Sequence, residues 1–516
     1  MTDRPAVRRL WIPVLVVGLV GVGIAGLWYW PDPEFPNDYR AAFSTLAVMA
    51  GALLLAVWLL FLSGMRWLLR FLILFAAVGL VVGAVRSVDF QGNLLPAAVH
   101  FRWERSARVQ REPTGQVPIP AAKATDFPEY RNVHRDGVIT GLALARDWSA
   151  RPPRALWQQA AGGGYAGIAV VGPSAVTIEQ HDGEEAVVCC DADTGRERWS
   201  YRYPALFSEG MGGDGPRATP TITDGDVYAL GATGRLVRLD GATGNPKWEV
   251  NILEDNDNIM WGMSGSPLVY DQFVVVNPGA QRESAKGRAV VAYDRDTGKV
   301  RWQSGDRKAS YSSPQLATIA GVRQVLVFDG EALGAYDAGD GKELWSHPWV
   351  TNPEVNVAQP LVLDGDRVFI SSGYGHGCAM LKLSQADGKW SVKELWQNLN
   401  LRCKFTSPVL HNGYIYGIDE SAGSLTCLDA KDGRRKWREG RYGNGQILLV
   451  GDLIVVGSET GKLALVEATP DAYRELASVQ VLDGRKNWNH LTIARGRAYV
   501  RNHFQMACYE LPAAGK

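Results

Sequence analysis

Few side chains in this sequence stand in a spacing that does recognisable chemistry. Cys189-Cys190 is a vicinal thiol pair, and Cys378 and Cys403 flank one connection between repeats, where they are able to pair in an oxidising compartment. Glu254-Asp255-Asn256-Asp257-Asn258 strings oxygen-bearing side chains along one loop. Such a loop either holds a hard cation or is simply solvated, and it lacks the glycine and distal glutamate of an EF-hand. Arg217, Trp261, Tyr311, Asn356, Lys404, Asn444, Asn489 and His490 recur at one phase of a long repeat, each shortly before an apolar strand. A flat aromatic with Arg, Lys and His suits an anionic planar ligand. The other reading is a water-filled, hydrogen-bonded mouth, with His490 as one of its hydrogen-bonding groups rather than a metal ligand. No G-x-S-x-G, H-E-x-x-H or phosphate-loop motif is present, so a hydrolase or kinase reading has no support.

These residues need a frame, and composition indicates which. In 516 residues, 54 Lys and Arg balance 54 Asp and Glu, which argues against a nucleic-acid binder. The 57 glycines and 18 tryptophans point to many tight turns around an all-β core, and 6 cysteines are too few for a disulfide scaffold.

The first part of the chain is different. Leu10 to Trp30, Phe43 to Leu62 and Trp67 to Val85 are apolar runs long enough to cross a bilayer, with only Arg70 inside the third, near its start, where it can snorkel. Trp28, Tyr29 and Trp30 form an interfacial anchor instead of a cleavage site. Arg4, Arg8, Arg9, Arg66 and Arg70 lie on one side, and Asp32, Glu34 and Asp38 outweigh Arg40 on the other. The basic side faces the cytoplasm, so three spans place everything after them outside, in the periplasm of a Gram-negative cell. Arg102, Arg105, Arg108 and Arg111 would form one stripe on a helix, either solvated or against a membrane surface, before a proline-rich linker. The expected organisation is an anchor over 1–90, a linker and lead-in over 91–150, and one β domain over 151–516.

From Gly167 a phrase recurs. Apolar strands open at Thr219-Pro220, Ser266-Pro267, Ser313-Pro314, Gln359-Pro360 and Ser407-Pro408, with degenerate openings at Gly167, Gly445 and Asn489: eight in all. Each third strand ends in Asp, then a T-G or D-G turn, then Trp: Trp199, Trp248, Trp302, Trp345, a stretched Trp396 and Trp437. These tryptophans lie 49, 54, 43, 51 and 41 residues apart, and the seventh repeat has lost its own. A period of this length marks propellers and solenoids. Glycine supplies the positive φ of the turn, and Trp buries a flat surface between neighbouring four-stranded sheets. The eighth repeat ends without an outer strand, and Ala155-Leu156-Trp157-Gln158 is expected to supply it and latch the ring. The fold class is therefore all-β, an eight-bladed β-propeller with tryptophan-docking repeats, preceded by three transmembrane helices.

The turn Ala192-Asp193-Thr194-Gly195…Trp199 and its counterpart Ala242-Thr243-Gly244…Trp248 resemble the tryptophan-docking repeat of pyrroloquinoline-quinone (PQQ) propellers. The approach Asp126-Phe127-Pro128-Glu129-Tyr130…Arg135-Asp136-Gly137 also looks like the lead-in to such domains, and the resemblance runs from about Phe127 to the C-terminus. It implies two function classes. One is a cofactor-free binding or scaffold propeller with a periplasmic or membrane protein partner, similar to the propeller subunit of the outer-membrane barrel-assembly machinery. The other is a PQQ-dependent dehydrogenase of alcohols or aldoses that passes electrons to membrane quinone. That class implies PQQ with Ca²⁺ on the axis, an Asp base and, in some members, a vicinal disulfide over the cofactor. The near-minimal repeats, the absence of C-x-x-C-H and the lack of an alignable calcium-ligand set favour the first class. Cys427 and Cys508 hold the place of Cys189 in their own repeats, which is the pattern of small buried strand residues.

Overall fold

The computed structural model describes residues 11–29, 37–90, 96–102, 116–483 and 486–515, with the side chains of 37–42 and 86–100 excepted. Arg4, Arg8, Arg9, the acidic first loop up to Arg40, and Arg105, Arg108 and Arg111 therefore lie outside the described residues or side chains. The chain forms two compact units, one holding the N-terminal helices and one the β domain.

Among the described residues three helices are long and apolar enough to cross a membrane: α1 (Trp11–Tyr29), α2 (Asn37–Val57, continued by a π-turn to Leu62) and α3 (Trp67–Ala84). α1 and α2 meet where Gly51 leaves room, since a Cβ there would fall 2.8 Å from Val20 Cγ2. The break after α2 leaves carbonyls without helical partners. Ser63 Oγ donates to Leu59 O (2.7 Å), and the Arg70 guanidinium folds back onto Met65 O (2.7 Å) and Leu60 O. Arg70 thus serves the turn between two helices. A β-hairpin, Val85–Phe90 with Pro96–Phe101, follows α3 directly, so the helical unit continues past residue 90.

The β domain consists of eight sheets, each built on four antiparallel strands from axis to rim, in chain order in blades one to seven. Blade one runs Ala169–Val171, Ser174–His181, Glu184–Asp191 and Glu197–Pro204. Blade eight takes three strands from the C-terminus and its outermost from Arg154–Ala160, which pairs antiparallel with Gln505–Glu510 and sets Trp157 opposite Cys508. This closes the ring non-covalently and leaves no blade edge open at the seam.

The Ser-Pro and Thr-Pro openings have a specific use. The Gly167 N–H donates to Thr219 Oγ1 (3.0 Å), Thr219 N–H to Ser266 Oγ (2.9 Å) and Ser266 N–H to Ser313 Oγ (2.9 Å). The Gln359 N–H likewise donates to Ser407 Oγ (2.9 Å). Each hydroxyl satisfies a buried donor of the preceding blade at the crowded axis, where water cannot reach. Proline follows because the next position needs no donor.

Toward the rim, the turn Asp binds its own turn: Asp240 Oδ1 accepts from the Thr243 N–H (3.0 Å) and Oγ1 (2.9 Å). The glycine after it takes a positive φ, as at Gly244 (+73°). It also lies under the preceding blade's tryptophan, since a Cβ on Gly244 would fall 2.5 Å from Trp199 Cε3. The Trp199 Nε1–H donates to Gly241 O (2.8 Å), Trp157 Nε1–H to Ala192 O (3.1 Å) and Trp248 Nε1–H to Arg295 O (2.8 Å). Blade five departs from the pattern. Its outer hairpin, Gly377–Ala386 with Lys389–Asn398, is longer, and Gly388 has no neighbour within 4 Å. Trp345 turns instead to Gln324 Oε1 (2.7 Å) in its own blade.

Candidate functional site at the propeller axis

The lead-in is bonded to the blades along its length. Phe127 exchanges both main-chain hydrogen bonds with Val170 of blade one, the Ile222 N–H of blade two donates to Pro128 O, and Val138–Ile139 adds a parallel strand inside blade seven. Between these anchors Arg131, Asn132 and Arg135 adopt positive φ (56°, 70° and 54°), a conformation costly for side-chain-bearing residues. Their hydrogen bonds account for it. Arg131 donates to Ser407 O (3.2 Å), Pro408 O (2.6 Å) and Ile447 O (3.3 Å) of blades six and seven. Arg135 donates to Ser266 O (3.0 Å), Pro267 O (2.6 Å) and Pro314 O (2.7 Å) of blades three and four, and to Glu129 (2.8 Å). Both arginines are 1 % exposed. Residues 126–139 therefore occupy the axis and tie six blades together.

Burial pushes the Glu129 carboxyl above its usual value, against the opposing pull of Arg135. Tyr130 meets His490 edge to face at 4.4 Å, its hydroxyl near Ser407 Oγ (3.4 Å). Burial, then the charge of Arg131, pushes His490 down to about 3, so its imidazole is neutral at physiological pH.

At the mouth, aromatic rings and cations alternate. Tyr165 stacks on Trp488 (5.5 Å) and Phe405 tilts against Trp488 (5.0 Å). Lys404 Nζ lies 5.1 Å from the Tyr374 ring and 5.3 Å from Phe405, and carries no ion pair among the described residues. Arg217 covers Phe207 (4.8 Å) and Tyr165 (5.4 Å), and Lys486 covers Trp488 (5.2 Å). This wall is apolar, flat and positively charged.

A family model described as outer membrane protein assembly factor BamB matches residues 146–260 and 258–439, more than half of the chain. The chain belongs to that PQQ-repeat family. Quinohemoprotein alcohol dehydrogenase ADH IIB of Pseudomonas putida is 28 % identical over 284 residues, covering 49 % of this chain and 39 % of that protein. Outer membrane protein assembly factor BamB of Burkholderia pseudomallei is 23 % identical over 260 residues, covering 49 % of this chain and 63 % of that protein. The matches thus span less than two thirds of either relative. Among solved structures, quinohemoprotein alcohol dehydrogenase from Comamonas testosteroni superposes with a TM-score of 0.55 at 14 % identity, over 77 % of this chain and 82 % of that one. The likeness is one of fold. Both an assembly factor and quinone-dependent dehydrogenases stand among the relatives of this BamB-like chain.

The sequence-derived mouth residues divide into two groups. Trp261 and Tyr311 pack together at 5.5 Å, and Lys404 and Arg217 join the aromatic wall. Asn356 is fully buried and its carboxamide is used up, Nδ2 on Asp329 O (2.7 Å) and Trp349 O (3.2 Å), Oδ1 accepting from Ser372 Oγ (2.6 Å). Asn489 Nδ2 spans Gly164 O (3.2 Å) and Ala166 O (2.9 Å). Asn444 is held by Glu459, and His490 packs on Tyr130 instead of facing a channel. Sequence reasoning missed Tyr165, Phe405 and Trp488, whose signal was their place a few residues before an innermost strand, and Tyr374, which lies in the turn between the second and third strands of blade five.

The six cysteines are free and buried. Cys189 and Cys190 face opposite sides of one strand, into different inter-blade cores, which is what alternation along a strand requires and what a vicinal disulfide does not allow. Cys378 and Cys403 do not pair either. They share one core, and Cys378 Sγ lies 3.4 Å from Asn398 Oδ1. In the acidic loop, Asn256 accepts from the Gln281 N–H (3.0 Å) and Asp257 pairs with Arg282 (2.5 Å). Among the described residues no three His, Cys, Asp or Glu side chains converge to hold a metal ion. The carboxylates beside the mouth aromatics are occupied by donors, Glu420 by the Tyr374 (2.6 Å) and Gly375 (2.7 Å) N–H groups and Glu459 by the Asn444 N–H (3.0 Å). The aromatic and cationic wall fits an anionic planar group such as PQQ in part; the residues present do not fit a calcium ion beside it.

Proposed function

We propose that this chain is a membrane-tethered periplasmic propeller that works as a binding or scaffold module. The observation that carries this reading is the axial lead-in: Tyr130, Arg131 and Arg135 fill the axis between the innermost strands, and among the described residues no metal-ligating cluster stands beside it. Recognition is then left to the surface. Leu206 (64 % exposed), Met260 (63 %), Val350 (54 %) and Leu399 (58 %) each follow an outermost strand, so all four lie at the mouth end of their blades. Exposed apolar residues at one end of a rigid scaffold suit a periplasmic or membrane protein partner. The helices tether it to the lipid bilayer of the inner membrane, N-terminus in the cytoplasm. The balanced charge gives no support to a nucleic-acid partner.

The mouth wall supports a second reading, a PQQ-dependent dehydrogenase oxidising an alcohol or aldose, as among the quinone-dependent relatives. One titration separates the two. The full chain in detergent is titrated with PQQ and Ca²⁺ while melting is followed, and dye reduction is then assayed with alcohols and sugars. The scaffold reading expects no saturable shift and no substrate-dependent turnover. A saturable rise with turnover overturns it and directs mutagenesis to Lys404, Arg217 and Trp261.

A further inference from the structure

A groove away from the axis is built by two features the axial site does not use. The first is the acidic loop Glu254–Asn258. The second is the connection between the second and third strands of blade three, which runs from Asn277 to Ala289, where the equivalent stretch of blade two is only Gly231 to Gly234. The two are fastened to each other. Asn256 Nδ2 donates to Pro278 O (3.2 Å) and Gly279 O (2.8 Å), Ser284 Oγ donates to Asp255 O (2.8 Å), and Asp257 pairs with Arg282. Asp255 takes a positive φ (59°) to allow it.

Beneath this bridge, between the outermost strands of blades two and three, lies a cavity of about 290 Å³. Its floor is apolar, from Val250, Ile252, Val291 and Val300, and Val300 is 51 % exposed. Its polar lining includes Arg288, Tyr293, Asn256, Gln303 and the one carboxylate of Glu254. The Tyr293 hydroxyl has no hydrogen-bond partner among the described residues. Arg288 touches only main-chain oxygens, Glu254 O (3.3 Å) and Ser284 O (3.4 Å), and has no ion pair among the described residues. Both flanking strands, Pro246–Asn251 and Val300–Ser304, are terminal in their sheets and present unpaired main-chain edges.

We infer that this groove binds the C-terminal end of an extended peptide. The carboxylate would lie on Arg288 and the Tyr293 hydroxyl, the last, apolar side chain on the valine floor, and the preceding main chain along a strand edge. An unpaired guanidinium beside a free hydroxyl is complementary to a carboxylate. The two strand edges argue for a peptide over a free fatty acid, which has no main-chain groups to pair with them. The inference does not depend on which reading of the axis holds.

The test uses the full chain in detergent and a fluorescein-labelled Ser-Gly-Ser-Gly-Leu-Phe peptide, as free acid and as C-terminal amide, read by anisotropy. The free acid is expected to bind saturably. The amide, and the free acid with Arg288→Gln, are expected to bind about tenfold more weakly or worse, the loss of one charge-assisted contact. Val300→Asp is expected to abolish binding. Unchanged melting of R288Q shows that the loss is local, as the position's partial exposure predicts. No saturable binding, equal binding of acid and amide, or full binding by R288Q overturns the inference. Displacement of the peptide by an equal concentration of octanoate overturns its peptide assignment in favour of a lipid acid.

Discussion

Arg135→Ala reads out the axial arrangement in one substitution. The native guanidinium satisfies three main-chain carbonyls and the Glu129 carboxylate. Removing one member of a buried pair costs about 3–5 kcal/mol, because the other charge stays buried, and three orphaned carbonyls bring the loss to about 4–6 kcal/mol. For a β domain of roughly 400 residues, with an unfolding entropy near ~0.8 kcal/mol/K, Tm falls by about 5–7 °C. The pH dependence adds a signature. Burial raises the Glu129 carboxyl above 4.5, and Arg135 is the main influence holding it down. A raised folded-state value means that the native state keeps a proton the unfolded state has released, so stability falls as pH rises through that window. Without Arg135 the value rises further, so the deficit of R135A grows from acid toward pH 8. Adding Glu129→Gln removes the uncompensated charge and restores roughly half of the loss. The assay is thermal melting of the full chain in detergent, by tryptophan fluorescence, at pH 5 and pH 8, for wild type, both single variants and the double variant. A variant that melts with wild type, or a deficit equal at both pH values and untouched by E129Q, refutes the reasoning.

Three further outcomes follow from the same structure. Deleting 151–160, or Trp157→Ala alone, opens the seam between blades eight and one; the single substitution is expected to lower stability by about 3–5 kcal/mol, and an unchanged melting point of the deletion would show that the ring closes without its latch. Gly244→Ala drives a Cβ into the Trp199 ring as well as straining the backbone, while Gly388→Ala at a similar φ (75°) meets nothing. Denaturant unfolding should therefore show a loss of more than ~2 kcal/mol for the first and about 1 kcal/mol for the second. His490 is held neutral down to about 3 from an ordinary 6.5, so its contribution to stability is full above pH 6.5 and drains away as pH falls toward 3. Its imidazole resonances should not titrate between pH 5 and pH 8, which nuclear magnetic resonance of histidine-labelled protein checks.

What was legible in the sequence follows from how each feature is encoded. The three spans and eight blades rest on local, repeated signals: apolar runs, a turn glycine, a tryptophan four or five residues on. The blade-eight latch was legible because an orphan strand at one end of the domain matched a missing strand at the other. The ring of Ser and Thr hydroxyls was visible as Ser-Pro and Thr-Pro, but its reason was not, since each hydroxyl serves a donor in the neighbouring blade, about one repeat away. The axial role of Arg131 and Arg135 was hidden for the same reason. The stretch was legible only as a lead-in, because the blade carbonyls that these arginines bind lie 131 to 316 residues away. Placing His490 at an open mouth assumed an empty axis, which Tyr130 of the lead-in fills; Asn356 is instead bonded by its neighbours Asp329, Trp349 and Ser372. Blade five shows the limit of a repeat: lengthening one hairpin removes the turn from beneath Trp345, which then bonds within its own blade.

The most direct measurement of the central claim is hydrogen exchange over the lead-in. The account places the amides of Phe127, Asn132, Arg135 and Gly137 in main-chain hydrogen bonds at a closed axis. Their exchange is predicted to be as slow as that of Val170 and Leu449, the innermost-strand amides that donate to the lead-in, and to slow no further when PQQ and Ca²⁺ are added. Exchange of these amides as fast as in an exposed loop, or protection that appears only with PQQ and Ca²⁺, would contradict an axis closed by the chain itself.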